Sequence, residues 1–149
     1  MPIRLLGAFN FVSLVSWLML LAGGSIAVVG WLSPPMTGFE ASGWVFDDQH
    51  VSAEIGAWDL KGCHYLRNSA TGTVRNDGVW YKVSMWVTPD SPPGRPSAWR
   101  GMGRWQWDRP EPKAPIALAV AHFTLICDGE PVQMTAGPFK VSDPLAQVK

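Results

Sequence analysis

Charged side chains are scarce and balanced in this sequence. Only 16% of its 149 residues are Asp, Glu, Lys or Arg, and 12 positive side chains against 12 negative ones give a formal net charge of +0. A protein that binds nucleic acid through the phosphate backbone needs a basic excess. The composition therefore excludes a bulk electrostatic basis for that class, and we expect no nucleic-acid partner.

The sequence patterns of common catalytic and cofactor sites are also missing. There is no Gly-x-Ser-x-Gly, no P-loop, no dinucleotide-binding glycine pattern and no His-Glu-x-x-His. Covalent haem attachment is excluded in the same way, because Cys-x-x-Cys-His is absent. The histidines, His50, His64 and His122, follow no metal-ligand spacing relative to the cysteines. We therefore expect no enzyme activity, no cofactor and no metal site.

Cysteine occurs only twice, at Cys63 and Cys127. An oxidising compartment favours joining them. The closed loop of about 65 residues would then stabilise the fold by ~4 kcal/mol on the chain-entropy estimate. Two buried free thiols are the alternative in a reducing compartment. We predict a disulfide between Cys63 and Cys127.

Charge is entirely absent from the apolar stretch Phe9–Leu32. As a helix, its roughly 24 residues reach about 36 Å, enough to cross a hydrocarbon core of ~30 Å with some tilt. Arg4 precedes the stretch and the first charges after it are acidic, so the positive-inside rule places the N-terminus in the cytoplasm. We predict a cytoplasmic segment 1–8, a transmembrane helix 9–32 and a periplasmic or extracellular domain after it.

A cleaved signal peptide is the alternative interpretation of the same stretch. Ser25-Ile26-Ala27 loosely matches the small-x-small pattern of cleavage sites. However, the apolar run continues to Leu32 and exceeds the ~7–15 residues of a usual signal core. The length favours a retained anchor, and both interpretations deliver the same domain out of the cytoplasm.

Small side chains recur on one side of the predicted helix. At about 100° per residue, Ser16, Gly23, Ala27 and Gly30 fall in one narrow stripe. Such residues let two membrane helices approach closely, so the stripe predicts packing on the helices of other membrane subunits. The alternative is that small residues are simply common in membrane helices.

Beyond the apolar stretch, turn signals separate short apolar runs. Residues 33–42 are interpreted as a linker and residues 142–149 as a frayed tail. Asn76-Asp77-Gly78 and Asp128-Gly129 each separate two strand-like arms, as in hairpins. Many short strands without an amphipathic helix predict an all-β antiparallel sandwich or barrel over residues 43–141.

Tryptophan is unusually frequent, with nine residues. Three of them lie in the Arg-rich segment 95–113, and Trp and Arg are the residue types enriched at binding hot spots. The segment predicts a partner-binding surface formed by Arg95, Trp99, Arg100, Arg104, Trp105, Trp107 and Arg109. The alternatives are an ordinary strand whose tryptophans fill the core, a surface for lipid headgroups, and a glycan site.

Together these features predict a single-pass membrane protein that is an accessory or structural subunit of a larger membrane or envelope assembly. Its helix and its Trp/Arg-rich β-domain are expected to contact other membrane-protein subunits. The alternative function is a membrane-tethered module that binds a ligand or a glycan in the periplasm or at the cell surface.

Overall fold

The structure is a computed structural model that describes residues 33–88 and 98–147, together with Ser16 and Met19. Both of these isolated residues are helical and exposed. In the described part of the chain, no helix is both long and apolar enough to cross a bilayer. The rest of the predicted span lies outside the described residues, and so do four predicted contact residues: Gly23, Ala27, Gly30 and Arg95.

From Pro35 onward the chain forms one compact unit. It consists of antiparallel strands and a final 3-10 turn, Pro144–Gln147. The strands of the described residues are β1 (Met36–Phe46), β2 (His50–Asp59), β3 (His64–Tyr65), β4 (Thr71–Asn76), β5 (Val79–Val83), β6 (Met85–Thr88), β7 (Ala98–Asp108), β8 (Leu118–Cys127) and β9 (Glu130–Lys140).

Two antiparallel sheets are built from these strands. The first has the order β1-β2-β7-β6. In the second, β8 pairs with β9 on one side and with β3 and β4 on the other, and β5 pairs with β4. The chain crosses from the second sheet to the first at Ser84, between β5 and β6. The two sheets enclose one hydrophobic core, which confirms the predicted all-β antiparallel domain and identifies it as a sandwich rather than a barrel.

Aromatic side chains dominate this core. Trp105 and Trp107 of β7 are fully buried, as is Phe123 of β8. Trp105 meets Phe123 edge-on, with the ring centroids 5.1 Å apart. The indole N–H groups donate to backbone carbonyl oxygens, that of Trp105 to Met102 at 3.1 Å and that of Trp107 to Val120 at 3.0 Å. Both polar atoms are therefore satisfied in the interior.

Both predicted hairpin turns are present. Asp77 and Gly78 have φ angles of 44° and 82°, and Asp128 and Gly129 have φ angles of 52° and 84°. Gly, and to a lesser extent Asp, adopts this left-handed region at low cost. The turns reverse the chain between β4 and β5 and between β8 and β9, which confirms the sequence signal.

The first strand begins earlier than the sequence suggests. Residues 36–42, assigned above to a linker, belong to β1 and pair with β2. Two register shifts interrupt the pairing near Gly38 and Gly43, whose φ angles are 63° and 58°. Such bulges break the two-residue alternation of a strand, so the pattern is hidden in the sequence. The linker prediction is wrong for these residues.

The C-terminal segment also differs from the predicted frayed tail. The side chain of Asp143 is fully buried. It accepts hydrogen bonds from the guanidinium of Arg109 at 2.6 and 3.2 Å, and from the amides of Ile116 at 2.9 Å and Leu145 at 3.1 Å. Arg109 and Ile116, which hold the chain here, are distant in sequence, which is why the local composition does not reveal the contact.

Cys63 and Cys127 form a disulfide, with their Cα atoms 4.7 Å apart, which confirms the predicted pairing. The bond joins the residue before β3 to the last residue of β8. Because disulfides persist in oxidising compartments and are rare in the cytosol, the bond indicates that the β-domain is extracytoplasmic.

Candidate functional site

Four of the residues predicted to bind a partner are buried. Trp105 and Trp107 alternate on the inner face of β7 and fill the core, as the alternative interpretation of the segment expected. Arg100 and Arg109 are only 9% and 8% exposed. The second sheet covers the inner face of β7 and encloses the two tryptophans, whereas the two arginines are buried by their contacts with loop segments. This corrects the sequence assignment of the four residues to an exposed surface.

The two buried arginines hold loops against the sheet. Arg100 Nη1 donates to Asp59 Oδ2 at 3.1 Å and to the carbonyl oxygen of Cys63 at 3.0 Å. Arg109 Nε donates to the carbonyl oxygen of Asp47 at 2.9 Å, in addition to its bonds with the side-chain carboxylate of Asp143. A guanidinium is tolerated in the interior when it is paired and hydrogen-bonded, so both residues have structural roles.

The carboxylates at this end of the domain are stabilised as anions. Burial alone raises the pKa of the Asp143 carboxyl, but the hydrogen bond from Arg109 and the two backbone amides outweigh it, so the pKa lies below its ordinary value. The amide of Gln49 is the main cause that lowers the pKa of exposed Asp47, and His50 adds to it. Their partners are internal to the domain, so these carboxylates anchor its loops.

The remaining described members of the predicted surface, Trp99 and Arg104, lie on the outer face of the first sheet. Strand β2 places Trp58 opposite Trp99 and Glu54 opposite Arg104. We call these four residues the Trp58–Trp99 patch. Trp58 and Glu54 were not singled out by the sequence, because nothing local to β2 shows that it pairs with the Trp/Arg-rich segment.

The two tryptophans form the apolar part of the patch. Their ring centroids are 5.8 Å apart and their planes cross at 77°. Trp58 is 48% exposed and Trp99 is 43% exposed. A Cβ atom at Gly56 would lie 2.4 Å from Cζ2 of Trp99, and one at Gly38 would lie 3.2 Å from Cδ1 of Trp58. The rings therefore rest directly on the backbone of the sheet, which restricts their orientation.

An ion pair forms the polar part of the patch. Arg104 Nη2 lies 2.7 Å from Glu54 Oε1, and Arg104 Nη1 lies 3.4 Å from Ser52 Oγ. The two charged side chains are 41% and 45% exposed. Exposed pairs of this kind contribute only ~0–1 kcal/mol to stability. The pair is therefore free to exchange its internal contact for contact with another molecule.

A groove of about 250 Å³ crosses β2 beside Trp99. Gly56 and Gly101 contribute to it, and a Cβ atom at Gly101 would meet nothing within 4 Å. Glu40 and Glu54 also line the groove. Of these two carboxylates, only Glu54 has an ion-pair partner within the described residues. The groove adds an acidic margin to the aromatic surface.

Histidine and carboxylate side chains meet at the other end of the first sheet. His50 lies 3.2 Å from Asp47 and 3.5 Å from Asp108. Across residues 33–88 and 98–147, no group of three or more His, Cys, Asp or Glu side chains is arranged to hold a metal ion. Of the predicted partner-binding surface, the described part that stays exposed lies within the Trp58–Trp99 patch.

Comparison with known proteins finds no relative of this chain. No protein-family model matches the chain, no curated protein matches it, and no solved structure matches it. Its function therefore has to be inferred from the side chains of the fold itself.

Proposed function

We propose that the protein is a membrane-anchored accessory subunit of a larger membrane or envelope assembly, and that the Trp58–Trp99 patch binds the extracytoplasmic part of a partner subunit. The observation that carries the proposal is the exposed, edge-to-face contact between Trp58 and Trp99 on the outer face of a sheet. Single exposed apolar side chains are ordinary, whereas contiguous exposed apolar surface is typical of interaction sites.

The residue types of the patch support protein recognition. Trp and Arg are the side chains most enriched among those that dominate binding energy. Because Trp99 rests on Gly56 and Trp58 on Gly38, the rings lose little further conformational freedom when a partner covers them. Such preorganisation lowers the entropic cost of binding.

The charges around the rings suggest the chemistry of the partner. Glu40 and Glu54 supply two carboxylates at the groove, against the single guanidinium of Arg104. A complementary surface would place an apolar side chain against Trp99 and a basic side chain near Glu40. We therefore expect the partner to present a basic and apolar segment.

We propose that the N-terminal apolar stretch anchors the protein in the membrane. The uncharged stretch Phe9–Leu32 has the length of a transmembrane helix. The disulfide supports delivery of the β-domain to the oxidising side of the membrane. The stripe of small residues is the proposed contact with neighbouring membrane helices, namely Ser16, Gly23, Ala27 and Gly30.

Site-specific photo-crosslinking of the full-length chain in native membranes tests the proposal. Trp99 is replaced by benzoylphenylalanine, and the matched control carries the same replacement at Trp80, which is also 48% exposed but lies on β5 of the second sheet. We expect one defined adduct from position 99, identified by mass spectrometry, and no such adduct from position 80.

A co-purification in mild detergent completes the test. Trp99→Ala should lose the partner, whereas Trp80→Ala should retain it. The proposal is rejected if position 99 yields no adduct, if both positions yield the same adducts, or if Trp99→Ala co-purifies with the partner as well as the unmodified chain does.

A further inference from the structure

A second and larger cleft opens where the chain crosses between the sheets at Ser84. The cleft is open to solvent. Its volume of about 760 Å³ lies within the ~300–1,000 Å³ of typical small-molecule sites. The cleft shares no residue with the Trp58–Trp99 patch. Its polar and aromatic lining comes from both sheets and comprises Thr71, Thr73, Lys82, Ser84, Trp86 and His122.

Strand register brings this lining together. Thr71 is the cross-strand partner of His122, and Thr73 is the cross-strand partner of Lys82. Gly72 lies between the two threonines, and a Cβ atom there would come 2.6 Å from a buried indole ring of the core. The lining is thus mounted on paired strands over a packed interior, which suits a preformed site.

The cleft has the electrostatic character of an anion site. Lys82 is exposed and forms no ion pair with any described residue. His122 Nδ1 lies 3.0 Å from Thr135 Oγ1, which orients the ring and leaves Nε2 as its other hydrogen-bonding atom. Among the described residues that line the cleft, none is acidic. The local charge therefore favours a negatively charged group.

The other lining residues suit a polyhydroxylated body. The hydroxyls of Thr71, Thr73 and Ser84 can each donate and accept hydrogen bonds. Trp86 is 61% exposed and offers an apolar ring face beside them. A sugar ring has the complementary surfaces, since its C–H groups pack on an aromatic face while its hydroxyls bond at the edge.

We propose that this cleft binds a sugar that carries a carboxylate, as in a uronic acid residue. The indole of Trp86 stacks on the sugar ring, and the ammonium of Lys82 pairs with the carboxylate. His122 and the three hydroxyl side chains bond to the sugar hydroxyls. A small anion lacks the ring that Trp86 recognises, and a neutral sugar lacks the charge that Lys82 recognises.

Isothermal titration calorimetry on the full-length protein in mild detergent tests the assignment with galacturonate, galactose and acetate. Galacturonate and galactose differ only in the carboxylate at C6, and acetate carries the carboxylate without the ring. We expect saturable binding of galacturonate. Galactose should bind at least about tenfold more weakly because it lacks the charged group that pairs with Lys82, and acetate should bind at least about tenfold more weakly because it lacks the ring and the hydroxyls.

Tetragalacturonate distinguishes the two sources of such a sugar. Tighter binding of the tetramer than of the monomer identifies an acidic polysaccharide as the ligand. Equal binding identifies a free sugar acid. Either result supports the proposed chemistry of the cleft.

Matched variants connect the binding to the cleft. Lys82→Gln should abolish the preference for galacturonate over galactose, and Trp86→Ala should weaken galacturonate binding about tenfold because the stacking contact is lost. Lys61→Gln and Trp80→Ala, at exposed positions outside the cleft, should bind as the unmodified chain does. Equal affinity for galacturonate and galactose, a lack of saturable binding, or binding that survives both cleft variants would overturn the proposal.

Discussion

Arg109 and Asp143 form a buried ion pair with two contacts. Nη1 lies 2.6 Å from Oδ2 and Nη2 lies 3.2 Å from Oδ1, and the side chains are 3% and 0% exposed. The pair joins the segment after β7 to the segment after β9. Two parallel N–H donors match the two carboxylate oxygens, and the amides of Ile116 and Leu145 also donate to the carboxylate. The C-terminal segment is thereby fixed to the sandwich.

Asp143→Asn should reduce the free energy of unfolding at pH 7 by about 3 kcal/mol, because it leaves the buried guanidinium of Arg109 without its counter-charge. Urea unfolding of the full-length protein in mild detergent, followed by tryptophan fluorescence, measures the loss. Asp48→Asn, at an exposed carboxylate, is the matched control and should stay within about 0.5 kcal/mol of the unmodified chain. Similar losses in both variants would contradict the structural role of the pair.

The same carboxylate predicts a loss of stability in acid. The pKa of the Asp143 carboxyl is lower in the folded protein than its unfolded value of about 3.9. Its contribution to the free energy of unfolding is therefore complete at pH values well above the unfolded pKa. As the pH falls from about 5, the unfolded chain takes up the proton first and the contribution is lost. We expect the free energy of unfolding to decline over this window in the unmodified chain and to decline less in Asp143→Asn. An equally steep decline in both would assign the acid sensitivity to other groups.

Substitutions at two neighbouring residues of β7 should lower the free energy of unfolding by very different amounts. Arg100→Gln should lower the free energy of unfolding by about 3–5 kcal/mol, because it leaves the buried carboxylate of Asp59 unpaired. Trp99→Ala should lower it far less, because nearly half of the Trp99 surface is already exposed. The same urea titrations make the comparison. A larger loss for Trp99→Ala than for Arg100→Gln would mean that the exposed ring is a structural element.

Two glycines on the outer face of the first sheet provide a steric test of the patch. Gly56→Ala should destabilise the fold by about 1–3 kcal/mol, because the new Cβ atom would lie 2.4 Å from the Trp99 ring. Gly101→Ala meets nothing within 4 Å and should be neutral or stabilising by about 0.5–1 kcal/mol, since glycine is unfavourable within a strand. Near-ultraviolet circular dichroism should change for Gly56→Ala alone. Unchanged stability and spectrum there would contradict the packing of Trp99 on Gly56.

The disulfide should contribute a large part of the free energy of unfolding of the β-domain. Replacing both Cys63 and Cys127 by Ala should lower the free energy of unfolding by about 4 kcal/mol, because the bond closes a long loop in the unfolded chain. Thiol titration of the denatured, unreduced protein should detect no free thiol. Two titratable thiols in protein isolated from its native compartment would contradict both the bond and the extracytoplasmic assignment.

Features that depend on a few adjacent residues were readable from the sequence alone. Asp77-Gly78 and Asp128-Gly129 specify tight turns because of their own backbone preferences. With only two cysteines, the pairing of Cys63 with Cys127 had one solution. Several short strands separated by turn signals, without an amphipathic helix, then indicated an all-β sandwich or barrel. The predicted helix 9–32, which rests on composition and length, stays a prediction.

The exposure of the Trp/Arg-rich segment was decided by tertiary structure. Alternation shows that Trp105 and Trp107 share one face of a strand, but it does not say which face is covered by a second sheet. Packing of the second sheet buries those rings, and pairing with β2 places Trp58 beside Trp99 and Glu54 beside Arg104. Partners so distant along the chain leave no local signal, because a contact between two strands depends on register and sheet order rather than on the composition of either strand.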